Sequence, residues 1–556
     1  MDTVDAVVVG AGPNGLVAAN LLIDAGWDVL LLEAQPEPGG AVRTAEVTAP
    51  GFRNDLYSAF YPLAAASSVI AALDLEPHGL RWAQAPSVVA HPSRDGPAAV
   101  LHHDPAATAA SLDRFAPGDG DAWLDLFALW QKVRDPLLDS LLAPFPPVRG
   151  GLRLGAAIGP RHLLDFARFA LLPVRRMADE HFRGSGGGLL LAGNALHADL
   201  SPEAAPSGMF GWLLASLGQD VGYPAPEGGA GELAGALVRR FTSRGGTLRC
   251  GAPVDRVVVE GGRARGVEVN GTPVAARRAV LADVDAVALV RHLVGEEHWP
   301  AVVRERVARV QRGWATVKVD WALRNPIPWA DPDVRGAGTV HLAASMDELT
   351  IGTAELSAGR LPTEPFLVVG QMTTTDPTRS PPGTESAWAY THVPTTVRDE
   401  PSGSHTGRPL SPADVEEVVR RVEARLEEFA PGFRDRVVAR YIAGPGDLAS
   451  ADANLVAGDV GGGTYQLHQQ LVFRPWPGLA RPETPIAGLY LASASAHPGG
   501  GVHGACGSNA AAAALLHDRV ARVRASIGGA GRRARAALER PRPSLPSNGS
   551  APEALD

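Results

Sequence analysis

The chain has 556 residues, which makes roughly two to four domains the expectation and leaves room for a large buried core. Hydrophobic residues make up 45% and charged ones 20%, ordinary globular usage that excludes collagen-like repeats and wholesale disorder. The net charge of −9 argues against nucleic acid as the main partner, and two cysteines, Cys250 and Cys506, with no Cys-x-x-Cys pair exclude a disulfide scaffold, a zinc ribbon and dithiol redox chemistry. The N-terminus, Met1-Asp2-Thr3-Val4-Asp5, has no basic region and no stretch approaches the roughly 18 apolar residues of a membrane span, so a cytoplasmic protein is expected. Glycine (63) and proline (47) are abundant, so many tight turns and close backbone approaches are expected. Of the 51 basic side chains only Lys132 and Lys318 are lysines, which directs attention to both.

The first 33 residues read as a βαβ unit. Ala6-Val7-Val8-Val9 suits a buried parallel strand, residues 13–25 carry Leu16, Ala19 and Ile23 at helical spacing with Pro13 in the first turn, and Gly26 supplies a stop. A second strand, Val29–Leu32, ends at Glu33. Residues from about 105 to 220 are rich in Ala, Leu and Arg and predict amphipathic helices, read as an inserted domain. Strands return at 247–250, 257–260 and 266–269, separated by Gly251 and Gly261-Gly262, which predicts antiparallel hairpins. A mixed block from about 310 to 445 contains one charged helix, Pro412–Phe429, and a strand follows at 488–491. The C-terminal segment, with Arg532-Arg533-Ala534-Arg535 and Pro541-Arg542-Pro543-Ser544, reads as a disordered tail.

Gly10-Ala11-Gly12-Pro13-Asn14-Gly15 is a G-x-G-x-x-G turn directly after a strand and opening a helix, with the acidic Glu33 where a ribose-binding carboxylate belongs. Gly10 permits the turn, Gly12 lets backbone approach a pyrophosphate, and Gly15 lets helix and strand pack closely. The helix N-terminus and its N–H groups then hold the diphosphate without a cationic side chain.

Glu33-Ala34-Gln35-Pro36-Glu37-Pro38-Gly39-Gly40-Ala41-Val42-Arg43-Thr44 resembles the second fingerprint of flavoproteins related to amine oxidases and phytoene desaturases. A Gly-Gly pair there brings a second backbone segment to the cofactor, and Arg43 is a candidate donor to phosphate. Residues 223–233 and 250–257 are similar to that family's return into its cofactor domain, which implies backbone contact between Val254 and adenine. Residues 488–504, with His497-Pro498-Gly499-Gly500-Gly501-Val502-His503, again run strand, glycine loop, helix; the resemblance implies a helix starting near Val502 that points at the flavin pyrimidine. Many relatives carry an acidic residue after this strand, whereas this chain has Ala492-Ser493-Ala494.

The chain as a whole resembles the carotenoid and retinoid oxidoreductases, the phytoene desaturase-like flavoproteins, and Gly458-Asp459-Val460-Gly461-Gly462-Gly463-Thr464-Tyr465 and Phe473-Arg474-Pro475 look closest to the branch named for pyridine nucleotide-disulfide oxidoreductase domain-containing protein 2. The implied fold class is α/β, a Rossmann-type FAD-binding domain interleaved with a mixed α+β substrate domain. The boundaries are 1–70, 223–290 and 481–522 for the FAD-binding parts, 71–222 for a helical cap, 291–480 for the substrate domain and 523–556 for the tail. FAD is the expected cofactor, held by Gly10, Gly12, Pro13, Asn14, Gly15, Glu33, Ala34, Gly39, Gly40, Ala41, Arg43, Val254, Ser495, Gly501 and Val502, and no metal is expected. The implied activity is dehydrogenation of a lipophilic or polyene-like small molecule, with oxygen or a quinone as electron acceptor; the reading admits peripheral membrane contact around 160–215 and a homodimer. An amine-oxidase-type enzyme and a non-catalytic binding protein of the Rab GDP-dissociation inhibitor kind are the alternatives on the same fold.

Three residues are candidates for catalysis. Lys318 lies in Thr316-Val317-Lys318-Val319-Asp320-Trp321, where strand alternation puts Val317, Val319 and Trp321 on one face and Thr316, Lys318 and Asp320 on the other. By analogy with amine oxidases it could orient water near flavin N5; an ion pair with Asp320 on a solvated face is the other reading. His497 and His503 are candidates for proton transfer or substrate positioning, or for packing within their loop. Cys506 is read as a packing residue.

Overall fold

The computed structural model describes residues 2–94, 96–398 and 407–538. Two seven-stranded sheets organise it. In the first, Asp2–Val9 pairs in parallel with Val29–Leu32 on one side and Thr272–Ala282 on the other, so the strand order reverses at the first strand and opens a crevice at the strands' C-terminal ends. Thr247–Arg249 extends one edge, Leu489–Leu491 adds in parallel to Thr272–Ala282, and the antiparallel strands Val254–Glu260 and Arg263–Val269 form the expected hairpins on the other side.

Helices Pro13–Asp24, Gly231–Ser243 and Ala505–Leu538 cover one face. Between them Leu16, Val17, Ala18, Leu22, Leu233, Leu237 and Phe241 are buried, each large apolar side chain contributing about 1.5–3 kcal/mol by leaving water. The helices at either end of the chain meet closely because Gly507 has no side chain: a Cβ there would stand 1.9 Å from the Asn14 carbonyl oxygen. Gly507 therefore serves helix packing.

The second sheet is ordered Val437–Ala443, Ala315–Leu323, Glu385–Val393, Leu367–Gln371, Ala337–Leu342, Ser87–His91 and Ala99–Leu101. The last two strands come from residues 71–222, read as a helical cap, so that region also completes the substrate sheet. Seven helices from Pro105–Asp113 to Ser207–Val221 then pack over it around Trp123, Trp130, Leu190 and Trp212. The charged helix Pro412–Phe429 covers the opposite face and begins with a capping box between Ser411 and Asp414.

Two boundaries differ from the sequence reading. The last helix starts at Ala505, not near Val502, because Val502 (φ 55°) and Gly504 (φ 70°) lie in the left-handed region. That helix continues to Leu538, through residues placed in the tail: its alanines and arginines are strong helix formers. The rest of the proposed tail, 539–556, lies outside the described residues.

Candidate functional site

The G-x-G-x-x-G turn forms where the strand order reverses. Gly10 has φ 94°, and a Cβ on it would stand 2.6 Å from the Asp283 carbonyl oxygen; a Cβ on Gly15 would stand 2.0 Å from the Gly10 carbonyl oxygen. Both positions exclude any other residue. The second glycine segment meets the first back to back, since a Cβ on Gly40 would lie 3.1 Å from Gly12 Cα. Glu33, buried at the end of the second strand, is fixed by two backbone donors: the N–H of Ala11 reaches Oε2 at 2.8 Å and that of Gln35 reaches Oε1 at 2.9 Å. The hairpin carrying Val254 arrives beside it, with Ala252 N–H donating to the Glu33 carbonyl at 2.8 Å.

Arg43 takes a more local place than a bare phosphate ligand. It donates through Nε to the Gly40 carbonyl at 3.1 Å and through Nη2 to Tyr57 Oη at 2.6 Å and the Ala451 carbonyl at 3.0 Å, fastening the Gly39-Gly40 loop to the Pro445–Ala451 helix. Ser495 is likewise tied back, its Oγ accepting from Ala286 N–H at 3.2 Å and donating to Asp285 Oδ2 at 3.3 Å.

Asp283 was not anticipated. It follows Thr272–Ala282, and its Oδ2 accepts the Gly15 N–H at 2.8 Å inside the glycine cradle. Burial pushes this carboxyl up to about 8, against the lowering effect of that N–H and with Asp452 and Glu33 adding repulsion. The cradle is thus lined by acids as well as amides, and Asn14 Oδ1 is buried there without a partner.

Beside the glycine segments lies a cavity of about 580 Å³. Ala41 and Gly500 to His503 form one wall, and Thr316, Lys318, Thr339, Val368, Trp388 and Tyr390 of the second sheet form another. Cross-strand register explains the second wall. Lys318 stands opposite Tyr390, Asp320 opposite Trp388 and Thr316 opposite His392, which puts every one of these side chains on the face away from the Val317, Val319 and Trp321 core. Gly370, paired with Trp388, leaves room for the indole: a Cβ on it would meet Trp388 Cε2 at 2.2 Å.

Lys318 does pair with Asp320, at 2.5 and 2.6 Å, but not on a solvated face. Both side chains are buried, and the ammonium lies 5.6 Å from the Trp388 ring centroid. Burial raises the Asp320 carboxyl, with Lys318 opposing that shift.

His497 and His503 both line the cavity. His497 Nε2 donates to the Ala143 carbonyl at 3.0 Å, which leaves Nδ1 a bare acceptor, buried and without a partner. His503 Nδ1 accepts the Ala505 N–H at 3.0 Å, so His503 shapes the start of the last helix. Burial holds both imidazoles neutral, with pKa values lowered to about 4. Cys506 is buried against the same loop, its thiol donating to the Gly499 carbonyl at 3.4 Å and pushed up to about 12 by burial.

Sequence reading passed over His197, Asp199 and Tyr390 of the cavity wall and His392 behind it. The signal for two of them was present: Trp388, Tyr390 and His392 alternate along one strand.

Residues 8–70 match the family described as the NAD(P)-binding Rossmann-like domain. Over 547 residues the chain is 27% identical to pyridine nucleotide-disulfide oxidoreductase domain-containing protein 2 of Mus musculus, covering 91% of this chain and 92% of that protein. It is 27% identical over 533 residues to the lycopene-forming phytoene desaturase of Pseudescherichia vulneris, covering 92% and 98%. The chain is a homologue of the phytoene desaturase-like oxidoreductases. In fold this oxidoreductase is similar to cyclohexylamine oxidase from Brevibacterium oxydans IH-35A, with a TM-score of 0.52 and 17% identity over 93% of this chain and 99% of that one. The back-to-back glycine segments, the fixed Glu33 and the unpartnered Asn14 Oδ1 fit FAD.

Proposed function

We propose that this oxidoreductase dehydrogenates a lipophilic small molecule with FAD as hydride acceptor. The observation that carries the reading is the cavity: one wall is formed by Ala41, next to the Gly39-Gly40 pair, and by Gly500 to His503, and the remainder is lined mainly by Leu, Met, Phe, Tyr and Ala. When bound, FAD supplies a two-electron acceptor at its ring nitrogen N5.

The chain's residues bind, orient and exclude. Gly10, Gly12, Gly15, Gly39 and Gly40 with Glu33 hold the ADP half, while Ala41, Gly501 and Val502 place the cavity against the other half. Leu63, Phe210, Leu213 and Leu142 exclude water and seat the hydrocarbon. Lys318, held by Asp320, presents a fixed ammonium to the cavity and is the residue for orienting a water through its remaining N–H donor. His497 offers its bare Nδ1 as an acceptor beside the glycine loop. Oxygen or a quinone is the proposed electron acceptor.

Access for such a substrate runs past exposed apolar side chains. Leu171 and Leu471 line the cavity yet are 52% and 39% exposed, and Leu152 and Leu164 nearby are 72% and 85% exposed on helices Val148–Ile158 and Leu163–Leu171. This rim is the proposed contact with a lipid surface. Phosphatidylcholine vesicles should sediment the protein, and Leu152→Asp with Leu164→Asp should release it; failure of the unaltered protein to sediment counts against the contact. Among the described residues no helix is long and apolar enough to cross a membrane.

The dehydrogenation itself is tested by mass spectrometry of terpenoid and long-chain donors incubated with the FAD-loaded protein. The expected product has lost two hydrogens; conversion of amines alone would contradict the reading.

A further inference from the structure

The cavity has a polar corner where the helix Ser185–Leu196 ends against the second sheet. Lys318, Tyr390, Val368 and His341 stand in register across four strands, so their side chains share one face. His197, the residue that caps the helix, reaches this row at two points. Its Nε2 lies 2.8 Å from His341 Nε2, and its Nδ1 lies 3.5 Å from Tyr390 Oη. His197 and Tyr390 line the cavity, whereas His341 is fully buried.

The 2.8 Å contact is a hydrogen bond between two ring nitrogens, so one of them donates and the other accepts. Burial keeps both imidazoles neutral, with one N–H each: His197 is lowered to about 4 and His341 well below its ordinary value. If His197 donated, His341 would carry its proton on Nδ1, a buried nitrogen without a partner. If His341 donates, that nitrogen is a bare lone pair instead. A buried N–H without an acceptor is the rarer defect, so His341 donates, His197 Nε2 accepts, and His197 carries its own proton on Nδ1. His197 N–H and the Tyr390 hydroxyl then bring two hydrogens together with one acceptor, the Tyr390 oxygen. Among the described residues neither group has another partner on that side, so one hydrogen is left over for the cavity.

We propose that Tyr390 and His197 form a hydrogen-bond donor site that seats one oxygen atom of an otherwise apolar substrate, with His341 as the positioning residue that fixes the His197 tautomer. The proposal rests on the cavity being the substrate site, and it narrows the substrate to an oxygenated lipophile. A carbonyl, ether or hydroxyl oxygen accepts the spare hydrogen. Nδ1 and Oη are 3.5 Å apart, so an oxygen entering between them can accept from both at ordinary hydrogen-bond lengths. A hydrocarbon leaves the spare hydrogen unpaired, and an ammonium has no lone pair with which to accept it.

The test uses the full FAD-loaded chain and three probes, octane, 2-octanone and 1-octanol, with binding read from tryptophan fluorescence and the bound ketone read from its isotope-edited carbonyl stretch. Tyr390→Phe keeps the ring and removes one oxygen, so the affinity ratios of 2-octanone to octane and of 1-octanol to octane should both fall about tenfold while octane affinity stays near that of the unaltered protein. In the unaltered protein the bound carbonyl should absorb at lower frequency than in hydrocarbon solvent. His341→Leu, although its side chain is remote from the probe, should move the band back toward the hydrocarbon position, and His341→Gln, which keeps a donor, should restore it. A ketone ratio unchanged within twofold in Tyr390→Phe overturns the donor site, as does a fall in the alcohol ratio alone, which is the result of the opposite tautomer. A carbonyl band at its hydrocarbon position, or failure of 2-octanone to bind, overturns it as well. If the ratios and the band behave as expected but no donor reduces the flavin, the dehydrogenase reading fails and the donor site stands.

Discussion

Lys318 and Asp320 lie two residues apart on one face of one strand, and the ammonium sits between both carboxylate oxygens, at 2.5 and 2.6 Å, with the side chains 4% and 1% exposed. Removing one partner of such a pair leaves a buried charge uncompensated, a loss of about 3–5 kcal/mol, whereas replacing both with apolar groups can be nearly neutral. Asp320→Asn should therefore be more destabilising in urea than the double variant Lys318→Met with Asp320→Leu. Equal losses would mean that the pair contributes by packing alone. In the single variant Lys318→Met, FAD binding should persist while the reductive or oxidative half-reaction slows. Unchanged rates in both half-reactions would remove Lys318 from the mechanism.

The glycines of the turn separate into those the fold requires and those it merely prefers. An alanine at Gly15 places Cβ 2.0 Å from the Gly10 carbonyl oxygen, so Gly15→Ala should abolish FAD retention. Gly26, after the helix, has positive φ, 78°, but a Cβ there meets nothing within 4 Å, so Gly26→Ala should cost about 1 kcal/mol and leave FAD bound. Equilibrium dialysis of FAD with both variants checks the contrast.

Two buried acids set a pH dependence. Asp283 is raised to about 8 and Glu385 to about 7, both chiefly by burial. Between the ordinary carboxylate value and these values the folded chain keeps protons that the unfolded chain releases, so both groups make stability fall as pH rises, through about 7 and then about 8. The melting temperature of the FAD-free chain should decline from pH 6.5 to 8.5, and less steeply in Asp283→Asn. Asp283 also adjoins the amides that would hold a diphosphate; once ionised it repels that anion, so FAD affinity should weaken above about pH 8, and Asp283→Asn should flatten the profile. Affinity rising with pH would contradict this.

Gly370 stands against Trp388 in the cavity wall. A Cβ there would lie 2.2 Å from the indole, so Gly370→Ala must drive Trp388 toward the cavity or distort the sheet. The expected outcome is weaker binding of apolar probes with FAD affinity retained; unchanged probe binding would place Trp388 outside the substrate path.

The cofactor half of the site was legible because each of its residues is needed for a backbone reason within a short segment. Gly10, Gly12, Gly15 and Glu33 are read from one βαβ unit, and Lys318 from strand alternation. Its surroundings were not: whether the Lys318–Asp320 face was solvated depended on helices contributed from residues 105–221, and the strands Ser87–His91 and Ala99–Leu101 joined a sheet whose other members lie more than 200 residues away. His197 and Tyr390 are separated by 193 positions, and their contact arises from how a helix end meets a strand. Asp283 was hidden for the same reason, since its place in the glycine cradle depends on the parallel pairing of Thr272–Ala282 with the first strand.

The central claim, an FAD enzyme acting on a lipophilic donor, is tested most directly by anaerobic titration of the FAD-loaded protein while its flavin absorbance is followed. Terpenoid or long-chain donors should bleach the flavin stoichiometrically, and admitting oxygen or a quinone should restore it. A protein that rejects added FAD, or whose flavin is bleached by amines and by no lipophilic donor, would contradict the account.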